Sequence, residues 1–326
     1  MTAPEITLVV ASHARALRLR WLLEALGEQT LERGRWELVV VHDNPDEDPT
    51  EALLRSHPLA AGPDPVLRHH RLPTGTGSPA RQRNVGWRDA RAPLVAFTDD
   101  DCRPDPRWLE RMLATAAGAA GQIVQGATEP DPHEALVLLA PRVRTLRVDP
   151  PVRECPTCNI LYPRALLVAV GGFDERFPGP AGEDTDLAER ARATGARLVA
   201  APDAIVFHAV DAYSYTGYVR LLWKWRHLPF VLKRHPHLRD GLALGVFWKA
   251  SHWRMLLAAA GVAAAVRWKP AALLALPYLR STVLVHGRRP DAIARAVAEL
   301  PSRVVGDATE IAAVGAGSIR YRTLLL

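Results

Sequence analysis

The sequence has little cysteine, and no lysine occurs before residue 211. Three cysteines in 326 residues are too few for a disulfide scaffold. No basic segment precedes the short apolar run Ile6–Ala11, so we expect no secretion signal and a cytoplasmic location. The apolar block Trp253–Val266 has 14 residues, about 21 Å as a helix, which is too short for a hydrocarbon core of about 30 Å. These shortages exclude a disulfide-rich secreted protein and argue against a transmembrane helix.

Charge is distributed unevenly along the chain. Residues 1–210 carry 24 arginines against 29 acidic residues, a net charge of −5, whereas residues 211–326 carry 17 basic against six acidic residues, or +11. A segment this basic typically faces polyanions such as nucleic acid or acidic lipid headgroups. Because its apolar blocks are flanked by tryptophans and basic residues, we expect a membrane surface and no nucleic acid as partner. The alternative is a helical hairpin buried against the rest of the protein.

The first 100 residues alternate short β-branched runs with helical patterns. Strands are predicted at Ile6–Val10, Glu37–His42, Val66–Leu72 and Leu94–Phe97. A helix is predicted to begin at Pro79, with Ser78 as its cap. Strands separated by helices form a mostly parallel sheet, whose ligands bind at the carboxyl ends of the strands. Asp43 and Asp99–Asp101 fall at those ends.

Three adjacent carboxylates, Asp99–Asp101, directly follow the fourth predicted strand. Such neighbours repel one another unless a cation or solvent separates them. A divalent metal such as Mg²⁺ binds one or two carboxylates and shares its remaining positions with water and substrate phosphates. A solvated acidic loop is the alternative, but the position at a strand end favours a site for a metal and a diphosphate.

A second acidic signal, Glu183-Asp184, opens a predicted helix that extends to Thr194. Free backbone N–H groups and the positive helix end keep a carboxylate ionised there, which suits a residue that must accept a proton. A simple N-terminal capping cluster is the alternative. Together with the aspartate triplet, the pair indicates a catalytic site with two acidic clusters.

Seven short motifs follow one another between residues 9 and 187. They are Val9–His13, Val39–Asn44, Ala80–Gly86, Phe97–Asp101, Asn159–Tyr162, Val170–Glu175 and Gly182–Leu187. In their order and spacing, these motifs resemble family 2 glycosyltransferases with the GT-A fold. The resemblance covers about residues 5–208 and implies a Rossmann-like mixed sheet flanked by helices.

The domain organisation follows from this resemblance and from the charge pattern. Residues 1–210 are expected to form an α/β GT-A domain, with a nucleotide-binding half at 1–102 and an acceptor half at 103–210. Residues 211–326 are expected to form a basic, apolar helical extension associated with the membrane.

The resemblance also implies a set of residues that bind the nucleotide sugar. Ser12 and Asp43 would hold the base and ribose, with Asp100 in the same group. Arg81 would lie near the phosphates. Asp99 would lie near the ribose or the metal.

Metal binding and catalysis are implied at the remaining positions. Asp99 and Asp101 match the D-x-D motif of the family, with Asp101 as the principal ligand for Mg²⁺ or Mn²⁺. His208, at the end of the last predicted strand, would complete the metal site. Asp184 matches the catalytic base, and Glu183 its partner.

These assignments predict a metal-dependent, inverting enzyme that transfers one sugar from a nucleoside-diphosphate sugar to a hydroxyl group. The acceptor is expected to be lipid-linked or close to the inner face of the cell membrane. The segment Leu221–Arg226 lacks the Q-x-x-R-W pattern of processive members, which favours nonprocessive transfer. One alternative is a noncatalytic nucleotide-sugar-binding or scaffold protein, although the intact acidic residues argue against it. Another is a sugar nucleotidyltransferase, which would require a lysine that residues 1–210 lack.

Overall fold

A computed structural model describes residues 3–62 and 65–326 of the chain. The chain divides into two units, each with its own apolar core. The N-terminal unit comprises residues 1–138 and 144–211, and the C-terminal unit comprises residues 139–143 and 212–326.

Most strands of the chain form one mixed sheet in the N-terminal unit. The strands are Ile6–Ser12 (β1), Trp36–His42 (β2), Leu67–Arg71 (β3), Leu94–Asp99 (β4), Cys102–Pro104 (β5), Ile123–Pro130 (β6), Val143–Arg144 (β7), Ile160–Pro163 (β8), Leu198–His208 (β9) and Asp211–Ala212 (β10). The sheet has the order β3-β2-β1-β4-β8-β6-β9-β5. The first four strands in that order are parallel, whereas β8 runs antiparallel to both of its neighbours. The predicted mixed α/β sheet is therefore confirmed.

Helices cover both faces of this sheet. The α-helices of the unit are Ala16–Gly27 (α1), Thr50–Ser56 (α2), Pro79–Arg88 (α3), Trp108–Gly118 (α4), Arg164–Val170 (α5) and Glu183–Ala193 (α6). Short 3₁₀ helices occur at Arg33–Arg35, Pro58–Ala60, Pro132–Glu134 and Val137–Leu139. Successive residues of β1 point to opposite faces, so Leu8 and Val10 pack in the core with α1 and α4. Val9 packs in a second core with α3 and α6.

Two local predictions are confirmed with small changes in length. Helix α3 begins at Pro79, and the Ser78 hydroxyl caps it by accepting a hydrogen bond from the Arg81 backbone N–H. Strand β4 continues two residues beyond the predicted end at Phe97, because Thr98 and Asp99 still pair with β1. The third aspartate of the triplet therefore lies two residues beyond the end of β4, directly before β5.

The C-terminal unit is helical. Its α-helices are Tyr215–Leu222 (α7), Leu228–Arg234 (α8), Ala250–Ala265 (α9), Leu276–Val283 (α10) and Pro290–Tyr321 (α11), with 3₁₀ segments at Trp223–His227, Pro236–Gly241 and Lys269–Ala275. The apolar block 271–285 is broken rather than continuous, because Pro277 lies in the first turn of α10 and starts a new helix. Within the described ranges, we find no helix with both the length and the apolarity needed to cross a bilayer.

Candidate active site

The carboxyl ends of three parallel strands place the predicted acidic residues at one edge of the sheet. Strand β1 lies between β2 and β4, with Ser12 opposite His42 and Ala11 opposite Asp99. Asp43 follows β2 directly, and the aspartate triplet begins at the last residue of β4. This is the position at which open α/β sheets bind their ligands.

Asp100 fixes the loop that follows β1. Its carboxylate accepts hydrogen bonds from the Ser12 hydroxyl at 2.8 Å and from the His13 backbone N–H at 3.3 Å. Burial and the negative charge of Asp101 raise the pKa of Asp100 to about 7, although Arg15 and Ser12 oppose the shift. Asp100 therefore holds the rim of the site in place, and its role in nucleotide binding stays a prediction.

Asp43 joins the ends of β1 and β2 to helix α3. Its carboxylate accepts hydrogen bonds from the Gln82 amide at 3.0 Å and from the Gly77 backbone N–H at 2.9 Å, and it binds His13 Nδ1 at 2.8 Å. A Cβ atom at Gly77 would lie 2.7 Å from the Asp43 carboxyl carbon, so only glycine fits there. Asp43, which is predicted to bind the nucleotide, is thus held in place by these hydrogen bonds and is not a mobile surface group.

Arg83 of helix α3 connects the two acidic clusters. Its buried guanidinium donates one hydrogen bond to Asp99 at 2.9 Å and one to Glu183 at 3.0 Å. Burial alone would lower the pKa of Arg83, but Asp99, Glu183 and Asp184 outweigh it and raise the pKa. Because one guanidinium binds both clusters, residues more than 80 positions apart in the sequence face the same site.

Glu183 and Asp184 begin helix α6 after Gly182, which has the positive φ of 97° that glycine tolerates. Burial raises the pKa of Glu183, and the Arg83 guanidinium opposes that shift. Burial and the Glu183 charge raise the pKa of Asp184 to about 7. Asp184 is the less buried of the two and accepts a hydrogen bond from the Thr185 backbone N–H at 2.9 Å. Burial thus outweighs the helix end that was expected to keep this carboxylate ionised, and Asp184 is suited to accept a proton near neutral pH.

Asp101 and His208 form a site with the chemistry of a divalent-metal centre. Asp101 Oδ1 is buried, has no hydrogen-bond partner among the described residues and lies 3.6 Å from His208 Nε2. The Nδ1–H of His208 donates a hydrogen bond to the Ala209 carbonyl at 2.8 Å, so Nε2 can bind a metal. Cys102 lies within the same group of ligand atoms, all within 4.8 Å of one another. The carboxylate suits Mg²⁺ or Mn²⁺, whereas the imidazole nitrogen suits a transition metal such as Mn²⁺ better than Mg²⁺.

Arg15, in the loop before α1, is a site residue that the sequence analysis missed. Its guanidinium pairs with Asp101 Oδ2 and lies 3.6 Å from Asp100 Oδ1. The arginine is half-exposed, so it can leave this position without unfolding the loop. In this structure the guanidinium supplies positive charge beside the carboxylate that is expected to bind the metal.

Replacing Arg15 with methionine is expected to raise the Mn²⁺ affinity of the nucleotide-free protein about twofold to fivefold, the range of an exposed ion pair. The metal then no longer competes with the guanidinium for Asp101. Electron paramagnetic resonance of free Mn²⁺ measures the change. Arg18→Met is the matched control, because that guanidinium pairs with Glu134 and Asp211 instead. Equal Mn²⁺ affinity in the Arg15 and Arg18 variants would contradict the competition.

Arg81 is separated from these contacts. Its guanidinium donates to the Thr76 carbonyl at 3.1 Å in an exposed position. The structure therefore brings together the triplet, Ser12, Asp43, His208 and the Glu183-Asp184 pair, but it shows no contact between Arg81 and the acidic residues. The phosphate-binding role of Arg81 stays a prediction.

The sequence resembles known glycosyltransferases over much of its length. The model of the family described as "Glycosyl transferase family 2" matches residues 7–150. The chain is 28% identical over 283 residues to the validoxylamine A glucosyltransferase of Streptomyces hygroscopicus subsp. jinggangensis. This alignment covers 76% of the chain and 64% of that relative. It is 31% identical over 215 residues to the pre-mycofactocin glycosyltransferase of Mycobacterium tuberculosis, covering 63% of the chain and 42% of that relative. The chain thus spans less than two thirds of either relative.

The fold also resembles that of a solved glycosyltransferase. The mannosyltransferase PcManGT from Pyrobaculum calidifontis, in complex with GDP-Man and Mn²⁺, superposes with a TM-score of 0.58 at 21% identity, covering 99% of this chain and 88% of that one. This similarity concerns the fold, whereas the family match rests on sequence. Residues 7–150 therefore match a glycosyltransferase family 2 domain, and the mixed sheet of the chain matches the GT-A fold.

Proposed function

We propose that the protein transfers one sugar, with inversion of configuration, from a nucleoside-diphosphate sugar to a hydroxyl group. The observation that carries the proposal is the Arg83 bridge between Asp99 and Glu183. Because Asp184 directly follows Glu183 in helix α6, this bridge supports a role for the Asp184 carboxylate as the base beside the strand ends at which the nucleotide is proposed to bind. The named activities of the two relatives support the same reaction class.

The donor is proposed to bind to residues 1–102, at the ends of β1, β2 and β4, and the acceptor to residues 103–210. The His13 side chain is largely exposed, whereas Asp43, which binds its Nδ1, is buried. The imidazole is therefore the group of this pair that would contact the base and ribose. Ser12 and Asp100 hold the adjoining loop through their hydrogen bond. Preorganised polar groups of this kind fix the donor without reorganisation on binding.

Asp101 and His208, with Asp99 nearby, are proposed to hold Mg²⁺ or Mn²⁺. When bound, a divalent cation there neutralises negative charge on the departing nucleoside diphosphate. The unpartnered Oδ1 of Asp101 and the free Nε2 of His208 support this assignment. Cys102 is a poor candidate for a third ligand, because Mg²⁺ and Mn²⁺ prefer oxygen ligands to the soft sulfur of a thiolate.

In the reaction, Asp184 accepts the proton of the acceptor hydroxyl as that oxygen attacks the anomeric carbon. The bond between this carbon and the diphosphate oxygen breaks at the same time, so the configuration inverts in a single displacement. Arg83 of α3 binds Glu183, the residue before Asp184, and so holds the start of helix α6 against α3. This contact positions Asp184. General base catalysis by a positioned carboxylate contributes about 10²- to 10⁴-fold to such rates.

A panel of UDP-, GDP- and dTDP-sugars tests donor binding in a thermal-shift experiment with and without Mn²⁺. At saturation one donor class is expected to raise Tm by at least about 2 °C in the presence of Mn²⁺. Asp101→Asn is expected to remove the Mn²⁺-dependent part of the shift, while the control Asp105→Asn retains it. Stabilisation by none of these donors, or equal stabilisation with and without Mn²⁺, would contradict the proposal.

The acceptor is proposed to be close to a membrane or lipid-linked. The support is electrostatic: residues 211–326 carry a net charge of +11, while residues 1–210 carry −5. Juxtaposed basic and apolar residues attract a protein to anionic lipid surfaces.

A further inference from the structure

An exposed apolar segment lies in the C-terminal unit. Helix α9, the turn Lys269–Ala275 and helix α10 form a helical hairpin, whose tip comprises residues 262–277. Three tip residues are strongly exposed: Val266 is 88% exposed, Trp268 65% and Leu273 63%. Large apolar side chains clustered in this way on a surface mark an interaction site.

The two arms of the hairpin, α9 and the returning segment 269–283, are tightly packed against each other. Poor packing between the arms therefore does not explain the exposure of the tip. Gly261 in α9 lies against the returning turn, and a Cβ atom at this glycine would lie 2.6 Å from Leu274 Cβ and 2.7 Å from the Ala271 carbonyl oxygen. Gly261 and Ala271 are buried between the arms. The outward side chains of the tip are therefore presented by a compact element.

Polar contacts fix the base of the hairpin to helix α11. Lys249 donates hydrogen bonds of 2.7 Å to both carboxylate oxygens of Glu310. Ser251 and Tyr278, on the two arms, both donate to Asp307, at 3.0 Å and 2.9 Å. Because both arms bind the same long helix, these polar contacts hold the base of the hairpin in place.

The charge of this region selects the kind of partner. Residues 241–290 contain seven lysines and arginines and no acidic residue. Lys249 pairs with Glu310 and Arg289 with Asp291, but the remaining basic residues would repel a second copy of the same surface, which disfavours self-association. An anionic surface provides charge complementarity.

We propose that the hairpin tip inserts into the surface of an anionic lipid bilayer. Val266, Trp268 and Leu273 enter the boundary between headgroups and acyl chains, where tryptophan is favoured. Arg267 and Lys269, which flank the tryptophan in the sequence, bind lipid phosphates while their stems cover apolar surface. Helix α9 has 16 residues, about 24 Å, so the hairpin lies in one leaflet rather than crossing the membrane.

A bilayer fits these features better than an apolar protein groove does. The cores of protein interfaces are depleted of charged residues, lysine among them. Docking the tip into a groove would desolvate Arg267 and Lys269 together with the apolar side chains, whereas at a bilayer surface they reach the headgroups. The inference deepens the membrane-facing part of the proposed function and does not depend on sugar transfer.

Vesicle flotation of the full chain tests the inference. The protein is mixed with phosphatidylcholine vesicles that contain either no or 30 mol% phosphatidylglycerol. We expect binding to the anionic vesicles and at least tenfold weaker partitioning of the double variant Val266→Glu/Leu273→Glu, because the added carboxylates cannot enter the acyl boundary.

The control is the double variant Val297→Glu/Ile319→Glu in helix α11, where the side chains are 51% and 83% exposed. It changes the net charge by the same amount, so we expect partitioning within about twofold of the unmodified chain. Failure of the unmodified chain to bind anionic vesicles would overturn the inference. So would equal partitioning of the two variants, or equal binding to neutral and anionic vesicles.

Two further measurements separate this inference from its alternatives. Thermal shift with the donor panel is expected to be the same for both variants, so lost flotation with retained donor binding concerns the membrane alone. If no donor binds but the flotation results are as expected, the proposed sugar transfer fails and the membrane inference stands. A dimer that the tip variant converts to a monomer, without vesicle binding by the unmodified chain, would show a protein interface instead.

Discussion

Replacing Asp184 with asparagine is expected to lower kcat by about two to four orders of magnitude, the contribution of a general base. Asparagine has the same shape, and its side-chain oxygen can still accept the hydrogen bond from the Thr185 backbone N–H. It cannot accept the proton of the acceptor hydroxyl. Release of nucleoside diphosphate in the presence of acceptor measures the loss, and donor affinity in the thermal-shift assay is expected to be unchanged.

The matched control is Asp203→Asn, which changes an exposed aspartate of strand β9. Its kcat is expected to stay within about twofold of the unmodified enzyme, as for most surface substitutions. Turnover of the Asp184→Asn variant at the unmodified rate would show that another group accepts the proton.

The pH dependence of the reaction carries a second signature of Asp184. Burial and the Glu183 charge raise the pKa of Asp184 to about 7, and a base acts only when it is deprotonated. The value of kcat/KM for the acceptor is therefore expected to rise about tenfold per pH unit below pH 7 and to level off above it. The Asp184→Asn variant is expected to lose this rise. The same rise in the variant would assign it to a different group.

The strand ends of the N-terminal unit could be predicted because the signals are local. A buried β-branched run followed by acidic residues fixes both a strand and the end at which it presents carboxylates, as at Asp43 and Asp99. The cap at Ser78 is equally local, because the capping hydroxyl and the N–H that it binds are three residues apart. Features that depend only on residues close together in the sequence can therefore be predicted from the sequence alone.

The contacts that assemble the site could not be predicted in this way. Arg83 binds Glu183 across 100 positions, and Arg15 binds Asp101 across 86. Arg83 lies in the motif Ala80–Gly86, but nothing near it in the sequence identifies its partners or indicates its role. A buried arginine must have acidic partners, but which carboxylates it meets depends on how α3 and α6 pack on the sheet.

The C-terminal unit was harder to predict for another reason. Residues 271–285 are almost uniformly apolar, so they lack the periodicity that distinguishes a buried helical face from an exposed one. The break before α10 and the exposure of the hairpin tip therefore emerge only from the structure. Residues 211–326 were expected to be helical, but the bounds of the longest helix, α11, were not predicted, and this helix contains Pro301, which ordinarily signals a helix end.

Replacing Arg83 with methionine is expected to lower the free energy of unfolding by about 3–5 kcal/mol, the cost of removing one partner from a buried ion pair. Methionine fills a similar volume but leaves Glu183 and Asp99 without the guanidinium. Urea unfolding at pH 8 measures the change. Arg81→Met, two residues earlier in the same helix, is the control, and its exposed guanidinium predicts a loss below about 1 kcal/mol.

The destabilisation by Arg83→Met is expected to shrink as the pH falls from 8 to 5. Burial already raises the pKa of Glu183 above its value in the unfolded chain, and loss of the opposing guanidinium raises it further. A carboxyl group with a raised pKa in the folded state binds its proton more tightly there, so protonation stabilises the folded variant. As the pH falls, the buried group is therefore increasingly neutral, and the cost of an unpaired charge decreases. A destabilisation that grows toward acid pH, or one no larger than that of Arg81→Met, would mean that Arg83 does not hold the two acidic clusters together.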